Sequence, residues 1–214
     1  MTIIGVTGGT GTGKTTVSTI IKNTLDCIVI SADYVAKKIN VPGTEYYKET
    51  VELFGEEILK PDKTLDRRKM AEIIFSDSEA KEKMNVITTK YVGGKIEDLI
   101  KEEGEKNPEA FVIIDAPLLF ECGLDKLCDY IIAIVCESKE ARIRRITVRD
   151  RLTRNQAEAR IDAQPNNDFY ESRADFVIHN ELYYKYYKLI KDVQKVVYKI
   201  KRKVSEKQKK KEEV

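Results

Sequence analysis

The chain has 214 residues, 42% hydrophobic and 35% charged, with a net charge of +2 at pH 7. That is room for one sizeable core with insertions, and so small a net charge gives no global pull toward nucleic acid. No apolar run is long enough to span a bilayer and the first residues read as a strand, so neither a membrane span nor a signal peptide is expected.

Thr2-Ile3-Ile4-Gly5-Val6 reads as a short buried strand. It leads into Gly8-Gly9-Thr10-Gly11-Thr12-Gly13-Lys14-Thr15, which fits the phosphate-binding pattern G-x-x-x-x-G-K-[ST]. Glycines let the backbone turn tightly and aim several N–H groups into one concavity. A helix follows, with Val17, Ile20, Ile21 and Leu25 at helical spacing, and its N-terminus adds partial positive charge. In such a loop Lys14 reaches the β- and γ-phosphates and the Thr15 hydroxyl ligates Mg2+. A plain glycine-rich turn is the competing reading, and the strand before and the helix after weigh against it.

Cys27-Ile28-Val29-Ile30 reads as a second strand, with Asp33 just beyond its carboxyl end, the edge where open α/β sheets bind ligands. Spacing leaves Asp33 two roles: facing the phosphate loop, or capping the helix expected over Tyr34 to Ile39. The next strand-like run begins only at Phe111. The insert between reads as mostly helical, over Glu45 to Phe54, Arg67 to Phe75 and Glu79 to about Gly104. Val41-Pro42-Gly43 and Lys60-Pro61-Asp62 punctuate it. So long an insert beside a nucleotide suggests a site for a second substrate, with decorative packing as the alternative.

Phe111-Val112-Ile113-Ile114 is a third strand, ending in Asp115, an acid placed to hold Mg2+ or its water. Tyr130 to Cys136 and Phe176 to His179 make a fourth and a fifth. Between them fall seven of the chain's eleven arginines: Arg142, Arg144, Arg145, Arg149, Arg151, Arg154 and Arg160. Arginine grips phosphate oxygens in a planar fork that lysine lacks, and Arg142, Arg145 and Arg149 share a helical face. A phosphate-clamping lid is expected here; a merely solvated helix would use lysine, as the rest of the chain does. The C-terminal helix is amphipathic through Leu182, Tyr186, Leu189, Val193, Val197 and Ile200, with tyrosines 183, 184, 186 and 187 expected as core and rim. Lys201 to Val214 reads as a frayed, solvated tail. The cysteines are Cys27, Cys122, Cys128 and Cys136, without a C-x-x-C, and His179 is the lone histidine. No zinc site is expected, and the thiols read as reduced and cytosolic, with Cys27 and Cys136 as small buried hydrophobes.

Together these residues resemble the dephospho-CoA kinase family, which carries out the last step of coenzyme A synthesis. The resemblance runs from Ile3 to about Asn180. It rests on Gly5-Val6-Thr7-Gly8-Gly9 with Gly11, Gly13 and Lys14; on Ala32-Asp33; on Pro42-Gly43 and Leu65-Asp66-Arg67; and, most specifically, on Asp115-Ala116-Pro117-Leu118-Leu119-Phe120-Glu121 with Gly123-Leu124. Arg145 with Arg149-Asp150, Ala157 to Ile161 with Gln164, and Ala174 to Ile178 with Asn180 complete it. The chain departs from the family pattern at two single positions and one segment. Ser31 stands where an acid is usual, the stretch Ile87-Thr88-Thr89-Lys90-Tyr91, near Thr89, has no histidine where one is usual, and Pro165-Asn166-Asn167 stands where charged residues are frequent.

The resemblance implies an α/β fold: a three-layer phosphate-loop NTPase/kinase with a parallel five-stranded sheet, a helical substrate insert and a small lid. It implies a single kinase domain over 1–200, with a nucleotide-binding core (about 1–33, 111–138 and 165–200), an insert (about 34–110), a lid (about 139–164) and a charged tail (201–214). It implies ATP and Mg2+ as cofactors and transfer of the γ-phosphate to the 3′-hydroxyl of dephospho-CoA. By the same resemblance Gly8, Gly9, Thr10, Gly11, Thr12, Gly13, Lys14, Thr15, Thr16 and Asn180 bind the nucleotide, Thr15 and Asp115 serve the metal, and Lys14, Asp33, Arg145 and Arg149 are catalytic. The expected setting is cytoplasmic, as a monomer or weak homo-oligomer, without nucleic acid or membrane. A kinase of nucleoside monophosphates or another small alcohol is the alternative enzyme. A nucleotide switch without phosphotransfer is the alternative of another class, and no N-K-x-D guanine motif is present for a GTPase.

Overall fold

A computed structural model describes residues 1–181 and 186–212. Five runs of mostly β-branched residues form β1 (Thr2–Thr7), β2 (Cys27–Ser31), β3 (Phe111–Asp115), β4 (Tyr130–Val135) and β5 (Phe176–His179). They make one wholly parallel sheet in the order β2-β3-β1-β4-β5. Because side chains alternate along a strand, β3 feeds two cores at once. Ile113 joins Ile4, Val6, Ile132 and Ile134 beneath α1 (Lys14–Thr24) and α10 (Tyr186–Glu212). Val112 and Ile114 join Ile30 on the other face, under α2 (Ala32–Ile39) and part of the insert. The result is the expected three-layer α/β architecture.

The insert holds α3 (Glu45–Phe54), α4 (Arg67–Ser76), α5 (Ser78–Thr88) and α6 (Gly94–Lys106). Asp66 and Asp77 start α4 and α5 as caps, each accepting from two backbone N–H groups. The helix expected over Glu79 to Gly104 is two helices joined by a π-helical turn at Thr89–Gly93. Adjacent Gly93 and Gly94 weaken the α-helical preference there, and the widened turn packs against α2. After β4 come α7 (Lys139–Asp150), α8 (Arg154–Asp162) and α9 (Asn167–Glu171).

Two expectations for the C-terminus are corrected. α10 runs on to Glu212 in place of a tail fraying after Ile200. Its apolar stripe continues through Val204, which packs on the main core; the Lys203 ammonium lies over the rings of Tyr130 (5.7 Å) and Phe176 (5.3 Å), and that of Lys207 over Tyr130 (5.3 Å). Tyr186 and Tyr187 are exposed, not core or rim, because the buried stripe begins one turn later at Leu189. Leu182, Tyr183 and Tyr184, and the final Val214, lie outside the described residues. Cys136 is buried and Cys27 half-buried, and all four thiols are free.

Candidate active site

The phosphate loop leaves β1 at Thr7 and enters α1 at Lys14. Two of its glycines are required by shape. Gly8 sits at φ +142°, where a Cβ would meet the Ile134 carbonyl oxygen at 2.1 Å; Gly13 sits at φ +99°, where a Cβ would meet Asn180 Nδ2 at 2.2 Å. Thr12 is fully buried and its hydroxyl donates to the Gly9 carbonyl (2.9 Å), closing the loop on itself.

Groups distant in sequence brace the loop from behind. Arg142 Nε donates to the Thr10 carbonyl (2.9 Å), and Gln164 Oε1 accepts from the Thr10 N–H (2.6 Å). Arg145 donates to the carbonyls of Gly11 (3.1 Å), Thr12 (3.4 Å) and Asn180 (2.9 Å), and Asn180 Nδ2 donates to the Thr12 carbonyl (2.7 Å). Asn180, expected to bind nucleotide, is thus buried against the loop's carbonyl side. Arg145 lines the cleft but spends its fork on backbone carbonyls. The sequence placed Arg142 in a phosphate-clamping cluster and Gln164 only within the family resemblance; both instead brace the loop backbone at Thr10, a contact no local pattern indicates.

The cleft lies at the carboxyl ends of β1, β2 and β3, the edge where such sheets bind ligands. Its volume is about 520 Å3, and its walls bring together Lys14, Thr15, Thr16, Asp33, Asp115 and Arg149, with Arg160 and Gln164 at the α8 side. Lys14 Nζ donates to the carbonyls of Gly8 (2.7 Å) and Gly9 (3.2 Å). Burial pulls its pKa down to about 8, against the attraction of Asp115 and Asp33. Burial likewise raises the Asp115 carboxyl, which Lys14 and a hydrogen bond from Ser18 Oγ (3.2 Å) partly offset. Thr15 and Thr16 are exposed to the cleft.

The capping role that spacing left open for Asp33 belongs to Ser31. Its hydroxyl accepts from the Tyr34 N–H (3.3 Å), and Asp33 stands in the first turn of α2 with its side chain exposed to the cleft. Ser31, where the family pattern has an acid, is therefore accounted for by the helix it starts. The other departures are local too: Thr89 donates to the Asn85 carbonyl (2.8 Å), and Asn166 caps α9.

The arginine cluster divides. Arg142 and Arg145 brace the loop. Arg149 pairs with Asp150 (2.7 and 2.8 Å), which raises its already high pKa, and Arg160 pairs with the same carboxylate (2.7 Å); both reach the cleft. Arg154 is held by Glu140 on the surface, and Arg144 and Arg151 are exposed. Outside the cleft, Glu137, Glu171 and His179 bring ligand atoms within 4.8 Å of one another at the ends of β4 and β5, a grouping that cysteine and histidine spacing did not suggest.

The sequence profile of the dephospho-CoA kinase family matches residues 2–185. The chain is 40% identical over 178 residues to a dephospho-CoA kinase of Moorella thermoacetica, covering 83% of each protein. It is 42% identical over 180 residues to one of Listeria monocytogenes, covering 83% of this chain and 87% of the relative. The solved dephospho-CoA kinase of Campylobacter jejuni superimposes with a TM-score of 0.63 at 29% identity, over 92% of this chain and 96% of that one.

Proposed function

The chain belongs to the dephospho-CoA kinase family, and from that premise we propose that it transfers the γ-phosphate of ATP to the 3′-hydroxyl of dephospho-CoA, giving coenzyme A and ADP. The observation that carries the reading is the convergence of Lys14, Asp33, Asp115 and Arg149 on one cleft at the carboxyl edge of the sheet.

Phosphoryl transfer asks the protein for positioning and charge more than for covalent chemistry. The backbone N–H groups of Gly8 to Thr15 cradle the phosphates at the start of α1, with Thr16 beside them. Lys14 is already desolvated, so its charge acts on the transferring group through little water. Asp33, exposed to the cleft, orients the acceptor hydroxyl and takes its proton. Arg149 meets the transferred phosphoryl group from the lid, while Arg145 and Asn180 hold the loop in register for it. A hydroxyl at Thr15 and a carboxylate at Asp115 are hard oxygen donors suited to Mg2+, and these two residues would hold it. When bound, that ion neutralises charge on the phosphate oxygens.

In this assignment residues 1–33, 111–138 and 165–200 bind nucleotide, 34–110 receive the acceptor and 139–164 form the lid. The setting is a reducing cytoplasm, which accords with four free thiols, and the enzyme acts as a monomer or weak homo-oligomer. Its partner is a small molecule, with no nucleic acid; among the described residues no helix is long and apolar enough to cross a membrane.

The test is a panel of dephospho-CoA, nucleoside monophosphates and pantetheine derivatives incubated with ATP and Mg2+, with products read by mass. Dephospho-CoA should gain one phosphate and far outpace the others. A preference for a nucleoside monophosphate, or ATP turnover without an acceptor, overturns the assignment.

A further inference from the structure

One residue of the cleft has half of its side chain engaged and half open. Gln164 follows α8 and precedes Pro165, which biases it away from helical backbone. Its own N–H closes the turn on the Ile161 carbonyl (3.1 Å), and the neighbouring Ala163 carbonyl accepts from Lys81 Nζ of α5 (3.4 Å). The end of α8 and the insert thus fix this turn together. From it Oε1 accepts from the Thr10 N–H (2.6 Å). Chemistry decides which end of the amide meets the loop, because only the oxygen can accept from a backbone N–H.

The other end is open. Gln164 lines the cleft with Lys14, Asp33 and Arg149, and its Nε2 makes no hydrogen bond among the described residues and is not sealed in protein. Other donors of the cleft are shared: Arg145 with backbone carbonyls, Arg149 and Arg160 with Asp150, Lys14 with the carbonyls of Gly8 and Gly9. Gln164 Nε2 breaks no bond to meet a phosphate oxygen. The anchor also sharpens it, since a hydrogen bond accepted at the oxygen polarises an amide and strengthens its N–H. The Arg142 guanidinium adds to this: a Cβ on Gly9 would stand 2.6 Å from its Nη2 and 3.5 Å from Gln164 Oε1, so both groups crowd the same bare glycine. That Nη2 is buried with no hydrogen-bond partner, so no acceptor takes up its charge there.

We propose that Gln164 is a further catalytic residue: held by Thr10, it donates an Nε2–H to a nonbridging oxygen of the transferring γ-phosphoryl group. The inference rests on the phosphoryl transfer assigned above. The amide gives up no proton. It holds that oxygen while the bond from phosphorus to the ADP oxygen breaks and the bond to the acceptor 3′-oxygen forms. A donor set before the reaction needs no reorganisation as charge redistributes over the phosphoryl oxygens.

Gln164→Glu and Gln164→Met separate this donor from a brace alone. The carboxylate keeps an oxygen for Thr10 but has no N–H; methionine supplies neither. Steady-state turnover should fall about a hundredfold in both, the loss expected for one preorganised donor, and the Glu variant should melt like the wild type. As pH falls, protonation gives the Glu variant an O–H beside its carbonyl, the donor and acceptor of glutamine again. Its turnover relative to wild type should then climb, while that of the Met variant should not. A Glu variant near wild-type turnover at neutral pH would mean that bracing Thr10 suffices, and overturns the proposal. So does a Met variant at or above wild type, or a Glu variant that stays as slow as the Met variant at every pH the wild type tolerates. All three proteins are compared in one assay with ATP, Mg2+ and dephospho-CoA. A wild type that does not convert dephospho-CoA overturns the assigned reaction itself, and this inference with it.

Discussion

The phosphate loop and the insert are built on opposite terms. The loop is short, glycine-rich and buried, and α7, the turn after α8 and the end of β5 reach into it from behind, through Arg142, Arg145, Gln164 and Asn180. The insert is long and helical, has a small satellite core around Phe54, Ile58 and Met70, and carries its ion pairs on the surface, Lys90 with Glu49 and Arg68 with Glu72 among them. Under the proposed assignment of ATP to the loop and the acceptor to the insert, the difference follows the chemistry of the two ligands. Triphosphate charge is stabilised by donors fixed before the reaction, which costs no reorganisation when it occurs.

Asp33 stands where the two regions meet, so its removal is the severest break. Asp33→Asn should lower turnover roughly a hundredfold to ten-thousandfold, the range for a positioned acid or base. ATP affinity, measured by titration, should stay near that of the wild type. Turnover near wild type, with a lowered melting temperature, would make Asp33 structural and leave Asp115 as the next candidate base.

Lys14 tests whether the rigid side is built for charge and not for stability. Lys14→Met should cost on the order of a hundredfold in turnover or more while the protein stays folded. The pH dependence has a definite sign. Burial holds Lys14 at about 8 in the folded protein, against 10.5 for an unperturbed lysine. Between those values the unfolded chain binds the extra proton, so wild-type stability rises with pH across that window. The Met variant lacks this slope. Its melting temperature should gain on the wild type at neutral pH, and the gap should narrow as pH climbs through the window.

Two arginines on one helix should then separate. Arg145→Met strips hydrogen bonds from the carbonyls of Gly11 and Asn180, a loss of about 1–3 kcal/mol. That should appear as a fall of roughly 3–10 °C in melting temperature. Arg149→Lys keeps the charge but loses the fork, so it should melt normally and turn over more slowly. If both substitutions act on stability alone, the cleft side of α7 is scaffold and not lid. Amide exchange over residues 139–164 gives an independent reading: protection should increase when ATP and acceptor are both present.

The smallest effect belongs to the insert. Glu49→Gln removes the surface ion pair with Lys90 but keeps an amide oxygen to accept from the half-buried Tyr91 hydroxyl, so thermal melts should show little or no change. A clear loss would mean that the insert is held more tightly than its surface bonding indicates.

Much of this protein is legible one segment at a time. The phosphate pattern from Gly8 to Thr15, the five strands, and α3 with the limits Glu45 and Phe54 follow from interactions among near neighbours: backbone preference, glycine conformation, the period of the apolar residues and the caps. Charge and cysteine spacing bounded the class of protein in the same way. What failed locally failed for a reason. Tyr186 keeps helical period with Leu189 yet is left exposed among the described residues, and α10 outlasts Ile200 because Tyr130 and Phe176 lie beneath its lysines. The cleft itself is a product of long-range contact. Thr10 meets Arg142 across 132 positions and Thr12 meets Asn180 across 168. A sequence pattern could mark the arginines as special, but only the packing of α7 behind the loop decided which brace backbone carbonyls and which open on the cleft. Likewise the spacing of Asp33 allowed cap or cleft, and the fold chose the cleft by giving the cap to Ser31.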